Sequence, residues 1–520
     1  MERKIPSMNL ADYLLQTGGA HDPAIIAERE TVTYGALREF VDAIAATLLE
    51  RGVVKGARVG IFADNSPFWV ASYLGILKAG GMALPFYPTL EPSQLEGLVA
   101  ATGPRAFCAE EKYLARCVKS GAGAGVVVEG EAALHKAPQG CAAVAPRYQG
   151  VVPAADVDDR KDLAALMFTS GSTGTPRAVM VSHRNIMANT ESIIASLELS
   201  RDDRIMVVLP FYYCFGTSLL HTHLRVGGSI VLNNRFTFPK LVLDQMLETR
   251  CTGIAGVPST YQLLLRNSAF PRMKFPKLRK MQQAGGKLPN VFISELRAAH
   301  PYADYFLMYG ATEATARLSC LPPGCLDTKL GSIGKGIPGV DLQVLDQCGN
   351  PVQPGETGEV VARGDNITLG YWQDPEATAQ SFRDGALWTG DLATVDEDSF
   401  IFVVDRAKDF IKPTGHRIAC KHIEDHLVAI PDVVEAAVVG VPDDVLGEAA
   451  KAFVSLRRGA TLTEAEALTH CRKAMPPYMV PRELVIMGSL PKNSSGKIDK
   501  LSLKKKAGAP HSSRVPGPRA

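Results

Sequence analysis

A loop rich in hydroxyl groups and glycine runs from Thr169 to Arg177, with the sequence Thr-Ser-Gly-Ser-Thr-Gly-Thr-Pro-Arg. Gly171 and Gly174 permit left-handed turns that bring backbone N–H groups close to an anion, and the hydroxyl groups and Arg177 add donors and positive charge. The loop is not a Walker A motif, because Thr-Pro-Arg follows Gly174 where that motif has Lys and then Ser or Thr. The pattern favours phosphate binding; a plain surface turn is the alternative for the loop taken alone.

Polar loops also follow three predicted strands further along the chain. Their sequences are Gly256-Val-Pro-Ser-Thr260, Ala284-Gly-Gly-Lys287 and Tyr309-Gly-Ala-Thr-Glu313. An aromatic segment, Pro210-Phe-Tyr-Tyr-Cys-Phe-Gly216, follows an earlier strand and could either line a ligand site or pack in the core. Because ligands bind at the carboxyl ends of parallel strands, we expect these loops to meet above one sheet.

The helices and strands that must position these loops are predicted to form layered α/β structure. Apolar runs at Leu163–Phe168 and Ala178–Val181 flank the phosphate loop as strands. Arg58–Phe62, Phe68–Lys78 and Met82–Phe86 read as a strand, a helix and a strand, a pattern typical of parallel sheets.

Later segments have different patterns. Residues 137–159 are small, rich in proline and unpatterned, and predict an irregular connection. From Gly339 onward, short alternating strands with glycine turns predict an antiparallel subdomain. A compact α+β unit then extends from about residue 408 to 500, and the tail after Ala507 is rich in Pro, Gly and Ser and is predicted to be disordered.

The composition is that of an ordinary globular protein, with 46% hydrophobic residues and a formal net charge of +2. This balance gives no support for nucleic-acid binding. The ten cysteines form no CxxC pair, which indicates reduced thiols, and neither a signal peptide nor a membrane span is apparent, so a cytoplasmic protein is expected. His416, His422 and His426 suggest a metal site, but no constellation of thiolates or carboxylates accompanies them, and we expect none.

Together these motifs resemble, in order, those of the adenylate-forming superfamily, which includes acyl-CoA synthetases, stand-alone adenylation enzymes and luciferases. The resemblance extends from about Asp12 to Lys500. It implies a large N-terminal domain of layered α/β subdomains with a β-rich subdomain, followed by a small mobile α+β domain. The implied boundaries are residues 1–407 for the N-terminal domain, about 339–407 for its β-rich subdomain, 408–506 for the mobile domain and 507–520 for the tail.

The resemblance also implies roles for individual residues in ATP binding. The residues implied to bind the ATP phosphates are Thr169, Ser170, Gly171, Ser172, Thr173, Gly174 and Arg177. Those implied to bind adenine and ribose are Ala284, Gly285, Gly286, Tyr309, Asp391 and Arg406.

The implied catalytic groups are Thr312 at the α-phosphate, Glu313 as the Mg²⁺ ligand and Lys497, in Leu490-Pro-Lys-Asn-Ser-Ser-Gly-Lys-Ile498, as the catalytic lysine. Carboxylate attack on the α-phosphate joins two anions, so positive charge is needed where negative charge accumulates. Lys408 would act as the hinge between half-reactions, and Gly415 would line the tunnel for the thiol of CoA or of phosphopantetheine.

By the same resemblance, the acyl pocket has walls that are aromatic or small and carry no charge. Its residues are Tyr212, Tyr213, Phe215, Gly216, Gly256, Val257, Pro258, Gly285, Met308 and Gly310. An uncharged carboxylic acid is therefore expected, because no Asp near Tyr212 is available to pair an ammonium group. Several positions depart from the family pattern: Arg177-Ala178 replaces Lys-Gly, Tyr213 replaces a gating His, and Cys420 and His422 replace Pro and Glu.

Three functions remain open at this stage. An acyl-CoA synthetase would join a small carboxylic acid to free CoA. A stand-alone ligase would load the phosphopantetheine arm of a separate carrier protein. A silent nucleotide-binding protein is disfavoured because Lys497, Glu313 and Asp391 are all present. The sequence leaves the oligomeric state, the acid and the pathway undetermined.

Overall fold

The computed structural model describes residues 8–120, 126–129, 142–144, 150–169, 177–406, 410–411, 418–443, 447–493 and 496–507. Several predicted features lie outside these residues. They are Ser170, Gly171, Ser172, Thr173 and Gly174 of the phosphate loop, Lys408, Gly415, and the tail from 508 onward.

The described residues include helices along the whole chain, and the helix predicted at Phe68–Lys78 is one of them. In chain order they are α1 (Leu10–Leu15), α2 (Tyr34–Glu50), α3 (Pro67–Lys78), α4 (Pro92–Thr102), α5 (Leu114–Lys119), α6 (His183–Leu197), α7 (Cys214–Val226), α8 (Pro239–Glu248), α9 (Pro258–Asn267), α10 (Asn290–Ala299), α11 (Pro375–Ser381), α12 (Cys420–Val428), α13 (Glu464–Ala474) and α14 (Lys500–Ala507). No helix in this part of the chain is both long and apolar enough to cross a bilayer.

The strands are short, and most belong to two large sheets. In chain order they are β1 (Pro23–Ile26), β2 (Thr31–Thr33), β3 (Arg58–Phe62), β4 (Met82–Pro85), β5 (Ala106–Ala109), β6 (Val126–Glu129), β7 (Ala142–Val144), β8 (Leu163–Thr169), β9 (Arg177–Ser182), β10 (Arg204–Val207), β11 (Ser229–Leu232), β12 (Gly253–Gly256), β13 (Lys280–Gln283), β14 (Asp304–Tyr309), β15 (Ser319–Leu321), β16 (Lys335–Gly336), β17 (Asp341–Leu345), β18 (Thr357–Arg363), β19 (Phe382–Arg383), β20 (Ala386–Val395), β21 (Ile401–Arg406), β22 (Phe410–Ile411), β23 (Ile418–Ala419), β24 (Val433–Asp443), β25 (Gly447–Leu456) and β26 (Glu483–Met487).

The two large sheets are mostly parallel. Nine strands of the described residues form one sheet in the order β16-β15-β14-β13-β12-β10-β11-β1-β2, and seven form the other in the order β7-β6-β5-β3-β4-β8-β9. Strands β10 to β14 pair in parallel, so the loops that follow β12, β13 and β14 lie at one edge of the first sheet. This arrangement confirms the predicted α/β class and gathers the polar loops as expected.

Smaller sheets follow the large ones along the chain. Strands β17 to β21 form an antiparallel sheet, and β24, β25 and β26 form a mixed sheet covered by α12 and α14. Strand β20 is one of the longest strands and contains Asp391.

One expectation about local structure was wrong. The connection predicted to be irregular from 137 to 159 contains β7, which pairs with β6. The second half of the aromatic segment, from Cys214 onward, is the first turn of α7.

Helix caps explain why several elements begin where the sequence predicts. Ser66 accepts a hydrogen bond from the Trp69 N–H and precedes Pro67, which needs no backbone donor at the first helical position. Ser182 and Asn185 form a reciprocal capping box at the start of α6. Because β9 ends at Ser182, this cap also fixes the strand that leaves the phosphate loop.

One arginine of α9, Arg266, bonds to the C-terminal part of the chain around α12 and β24. Arg266 donates to the carbonyl oxygens of Val428 and Ile430 at 3.0 and 3.1 Å and also to that of Val433. Its other terminal nitrogen pairs with Glu295 at 2.8 Å. The side chain is only 6% exposed, so these charge-assisted bonds are shielded from water.

Candidate functional site

Lys497 lies in a tight hairpin loop whose backbone is fixed by its own hydrogen bonds. Lys492 and Ile498 are bridged, and the Asn493 N–H donates to the Lys497 carbonyl oxygen at 2.8 Å. The Asn493 side chain accepts from the Lys497 N–H at 3.0 Å. Gly496 has φ of 76°, a conformation that glycine adopts without strain. The loop therefore presents the lysine from a constrained backbone.

This loop meets the N-terminal part of the chain at the start of α9. Ser259 donates to the Gly496 carbonyl oxygen at 2.8 Å. Lys497 Nζ lies 5.6 Å from the centroid of the Tyr213 ring. A Cβ atom on Gly285 would lie 3.4 Å from Lys497 Cε and 3.0 Å from a methyl group of Val257, so glycine leaves room for the lysine here. Lys497, Tyr213, Gly285 and Val257, which the sequence predicts for one site, are together.

Tyr309 and Asp391 are also brought together, although they are 82 residues apart. The Tyr309 hydroxyl donates to Asp391 Oδ2 at 2.6 Å. Asp391 faces Arg406 in the pairing of β20 with β21. Ala284, Gly285 and Gly286 follow β13, and Gln283 donates to the Gly286 carbonyl oxygen at 2.7 Å, which stabilises that turn.

Thr312 and Glu313 form a short helical turn after β14 and contact different groups. Thr312 is buried and donates to Cys214 Sγ at 3.4 Å, at the first residue of α7. Glu313 Oε1 accepts from the Tyr371 hydroxyl at 2.8 Å. Burial and the charge of Glu313 raise the pKa of the Tyr371 phenol well above its usual value, so this phenol remains a donor. Tyr371 is a partner of Glu313 that sequence reasoning missed.

The two ends of the phosphate loop are held close by strand pairing. Thr169 and Arg177 face each other in the β8–β9 hairpin, and Thr169 donates to the Arg177 carbonyl oxygen at 3.4 Å. The Arg177 guanidinium lies 5.3 Å from the Tyr371 ring centroid and pairs with Asp374 at 3.3 Å. Arg177 is thus on the side of the site where Tyr371 holds Glu313.

The segment between Gly310 and Arg317 is folded under strain. Ala316 N–H donates to the Ala314 carbonyl oxygen at 2.7 Å, and Thr315 between them has φ of 66° and ψ of −59°. These values define a classical γ-turn, which is rare for a β-branched residue. The turn brings the chain back onto Gly310, where a Cβ atom would lie 1.9 Å from the Ala316 carbonyl oxygen. Only glycine fits at position 310.

A charged side chain lies against two of the residues that were expected to form an uncharged acyl pocket. The Arg317 guanidinium carbon lies 3.9 Å from the centroid of the Phe215 ring, and its Nε donates to Met308 Sδ at 3.4 Å. Both Phe215 and Met308 were assigned to the acyl pocket. Arg317 itself was missed; it lies two residues before the start of strand β15.

The other predicted pocket residues lie on neighbouring elements. Gly256 ends β12, and Val257 leads into Pro258, the first residue of α9. Gly216 lies in the first turn of α7, where a Cβ atom would be 2.1 Å from the Pro210 carbonyl oxygen. Tyr212 packs against Tyr87, with ring centroids 5.0 Å apart, and so belongs to a different hydrophobic cluster from Phe215.

The histidines considered for a metal site do not assemble one within the described residues. His422 and His426 stack with ring centroids 5.3 Å apart on α12. No group of three or more His, Cys, Asp or Glu side chains in these segments is placed to hold a metal ion. His416 lies outside the described residues.

Comparison with known families identifies the class of protein that this fold and site define. The sequence model described as AMP-binding enzyme matches residues 16–372, and that described as AMP-binding enzyme C-terminal domain matches residues 422–497. The chain therefore belongs to the family of AMP-binding enzymes.

Characterised relatives cover nearly the whole chain. The chain is 31% identical to a long-chain-fatty-acid–CoA ligase of Escherichia coli O157:H7, over 94% of this chain and 92% of that protein. It is also 31% identical to a feruloyl-CoA synthase of an Amycolatopsis species, over 94% and 96% respectively.

Solved structures share the fold at lower identity. The anthranilate CoA ligase AuaEII, bound to anthranoyl-AMP, is 26% identical with a TM-score of 0.85, over 97% of this chain and 98% of that chain. ATP-bound MatB from Rhodopseudomonas palustris is 27% identical with a TM-score of 0.83, over 96% and 98%. The chain is an AMP-forming acid–CoA ligase: it uses ATP to activate a carboxylic acid as an acyl-adenylate and then transfers the acyl group to CoA.

Proposed function

We propose that Lys497 provides the positive charge that stabilises attack of the carboxylate on the α-phosphate of ATP. The observation that carries this proposal is the position of the lysine: its loop is bonded to Ser259, and its ammonium group lies beside Tyr213. The negative charge that develops between two reacting anions is best stabilised by a cation already held in place. A loop closed by its own hydrogen bonds provides that preorganisation.

Glu313 is proposed to hold Mg²⁺, with Thr312 beside it at the α-phosphate. One oxygen of the Glu313 carboxylate accepts from Tyr371, and the described residues give the other oxygen no hydrogen bond. Such a carboxylate fits Mg²⁺, which binds proteins through one or two carboxylates together with substrate phosphates. When bound, the ion would neutralise charge on the phosphates. The Tyr371 hydroxyl fixes the orientation of the carboxylate.

The remaining nucleotide contacts are proposed along the same edge of the sheet. Asp391, hydrogen-bonded to Tyr309 and facing Arg406, is proposed to bind the ribose hydroxyls. Tyr309 and the segment from Ala284 to Gly286 are proposed to enclose the adenine. Thr169 and Arg177 are proposed to bind phosphate, together with Ser170, Gly171, Ser172, Thr173 and Gly174 of their loop.

A change in domain arrangement between the two half-reactions is proposed on the same basis. The C-terminal unit, proposed to begin at residue 408, holds Lys497 in the adenylation site, and this arrangement must change before a thiol can enter. Lys408 is proposed as the pivot and Gly415 as part of the thiol tunnel. Replacing Lys408 by proline is expected to spare pyrophosphate exchange and to impair acyl-CoA formation; equal loss of both rates contradicts a selective hinge role.

The acyl substrate is proposed to enter between Tyr213, Phe215, Met308 and Gly310. The named relatives act on acids as different as long-chain fatty acids and feruloyl groups, so they share the carboxylate and little else. The relatives therefore do not indicate which acid this enzyme uses, and the residues of its own pocket must determine that choice.

The test is acid-dependent exchange of pyrophosphate into ATP across a panel of aliphatic, aromatic, dicarboxylic and amino acids, followed by addition of CoA to the best acid. The proposal predicts exchange with at least one acid and then formation of acyl-CoA and AMP. Exchange without any acyl-CoA would shift the acceptor to a carrier protein. Absence of exchange with every acid would contradict the proposed activity.

A further inference from the structure

Arg317 is a buried cation without a counter-ion. The residue is 3% exposed, and its guanidinium stacks on Phe215. Within the described part of the chain its only side-chain hydrogen bond is that from Nε to Met308 Sδ, and no carboxylate lies in ion-pair range. A guanidinium has five N–H donors and a thioether is a weak acceptor, so most of its donors are unused. A buried charge in this state is costly unless something else pairs with it.

The backbone that carries this side chain is fixed by specific contacts. Asn189 accepts from the Arg317 N–H at 3.1 Å and donates to the Arg317 carbonyl oxygen at 2.8 Å, and Asn366 donates to the same oxygen at 3.2 Å. The strained turn at Thr315 immediately precedes it. Strain of this kind persists only where the surrounding structure imposes it, and here it sets the position of Arg317.

Arg317 and Lys497 lie close to the same short segment, Tyr213 to Phe215. Arg317 contacts Phe215 and Met308, and Lys497 lies over Tyr213. Burial raises the pKa of the Cys214 thiol, and both cations act in the opposite direction, which places both of them within electrostatic reach of Cys214. Burial also lowers the pKa of Arg317 to about 10, so the guanidinium remains charged at neutral pH. Lys497 is assigned to the reacting carboxylate and phosphate, which leaves Arg317 for another group.

We propose that Arg317 binds a second carboxylate of the acyl substrate, so that the enzyme activates one end of a short dicarboxylic acid while the other end pairs with the guanidinium. This inference rests on the proposed function and names its substrate class. A carboxylate matches the fork of a guanidinium and supplies both the missing charge and the missing acceptors. A monocarboxylic acid of equal length would leave the guanidinium unpaired and dehydrated, and the site would discriminate against it.

Matched pairs of acids test this with the full-length enzyme: succinate against butyrate, glutarate against pentanoate, and terephthalate against benzoate. The wild-type protein is expected to give a kcat/KM for pyrophosphate exchange at least about 30-fold higher for the dicarboxylic acid of the preferred pair. This comparison needs no variant. Exchange with monocarboxylic acids but no preference for any dicarboxylic acid would overturn the inference and leave the proposed function standing. Absence of exchange with any acid at all would overturn both.

Variants then assign the preference to Arg317. Arg317→Met is expected to lower kcat/KM for the dicarboxylic acid by about 30-fold or more and to bring the ratio within each pair close to one. Arg317→Lys keeps the positive charge but lacks the bidentate geometry of the guanidinium. It is expected to restore part of the kcat/KM ratio between the dicarboxylic and the monocarboxylic acid. The control is Arg184→Met, which removes another buried arginine, paired with Asp159, outside the pocket. It is expected to lower the Tm and leave the ratio unchanged. A wild-type ratio in Arg317→Met would overturn the inference.

Discussion

Replacing Ser259 by alanine removes the hydrogen bond that joins α9 to the loop carrying Lys497. The Ser259 hydroxyl donates to the Gly496 carbonyl oxygen at 2.8 Å, one residue before the lysine, and Ser259 is 7% exposed. The hydroxyl makes no other hydrogen bond among the described residues. The substitution therefore removes one contact and leaves the rest of α9 intact.

The size of the effect follows from the strength of one bond between neutral groups. Such a bond contributes about 0.5 to 1.5 kcal/mol net, which corresponds to a factor of about 2 to 13 in an equilibrium. Because the bond exists only while the loop is docked, its loss reduces the equilibrium constant for docking by that factor. Adenylate formation is therefore expected to fall by about 5-fold, and Tm is expected to change little.

Two assays separate the half-reactions. Acid-dependent pyrophosphate exchange measures the first, and consumption of a chemically prepared acyl-adenylate with CoA measures the second. Ser259→Ala is expected to slow exchange and to leave the second rate unchanged, because in the proposed mechanism Lys497 leaves the site before the thiol step.

The control is Ser268→Ala at the other end of the same helix. Ser268 also donates to a carbonyl oxygen, that of Leu264, at 2.6 Å, but it makes no hydrogen bond to the described residues of the lysine loop. The exchange rate of Ser268→Ala therefore shows whether a general weakening of α9 affects activity. An unchanged exchange rate in Ser259→Ala, or equal losses in both half-reactions, would refute the docking role of this bond.

Two further substitutions probe the segment after β14. Gly310→Ala would place a Cβ atom 1.9 Å from the Ala316 carbonyl oxygen, and the resulting backbone shift is expected to reduce exchange by about 100-fold. The control is Gly324→Ala, where a Cβ atom meets nothing within 4 Å, and it should keep the wild-type exchange rate. Equal rates in the two variants would contradict the importance of the tight turn. Tyr371→Phe removes the donor to Glu313 and is expected to raise the Mg²⁺ concentration needed for half-maximal exchange by about 10-fold. An unchanged Mg²⁺ titration would show that Tyr371 does not contribute to Mg²⁺ binding.

Much of the fold could be predicted because local signals agree with the tertiary structure. The strand Arg58–Phe62 was predicted to the residue, and α3 to within one residue. A continuous apolar run identifies the first, and a Ser-Pro start and a Gly-Gly end bound the second. The strand Ala142–Val144 was missed because its pairing with β6, and not its local sequence, makes it a strand.

The residues of the candidate site could be predicted only where they belong to motifs that occur in the family's order along the chain. Lys497, Tyr309 and Glu313 belong to such motifs, and the structure brings the first beside Tyr213 and the second against Asp391. Arg317 was missed because its burial depends on the γ-turn at Thr315, and no residue pattern in the sequence predicts that turn. Tyr371 was missed for a related reason: 58 residues separate it from Glu313, and only the fold brings them into contact.

The central claim is that Lys497 stabilises the transition state of adenylate formation, and Lys497→Ala in the acid-dependent pyrophosphate exchange assay tests it most directly. Exchange is expected to fall by at least about 100-fold with an unchanged Tm, because a preorganised charge is lost while the loop keeps its backbone bonds. Lys504→Ala, an exposed lysine on α14, should retain the wild-type rate. Wild-type exchange in Lys497→Ala would contradict the assignment of Lys497 as the catalytic lysine.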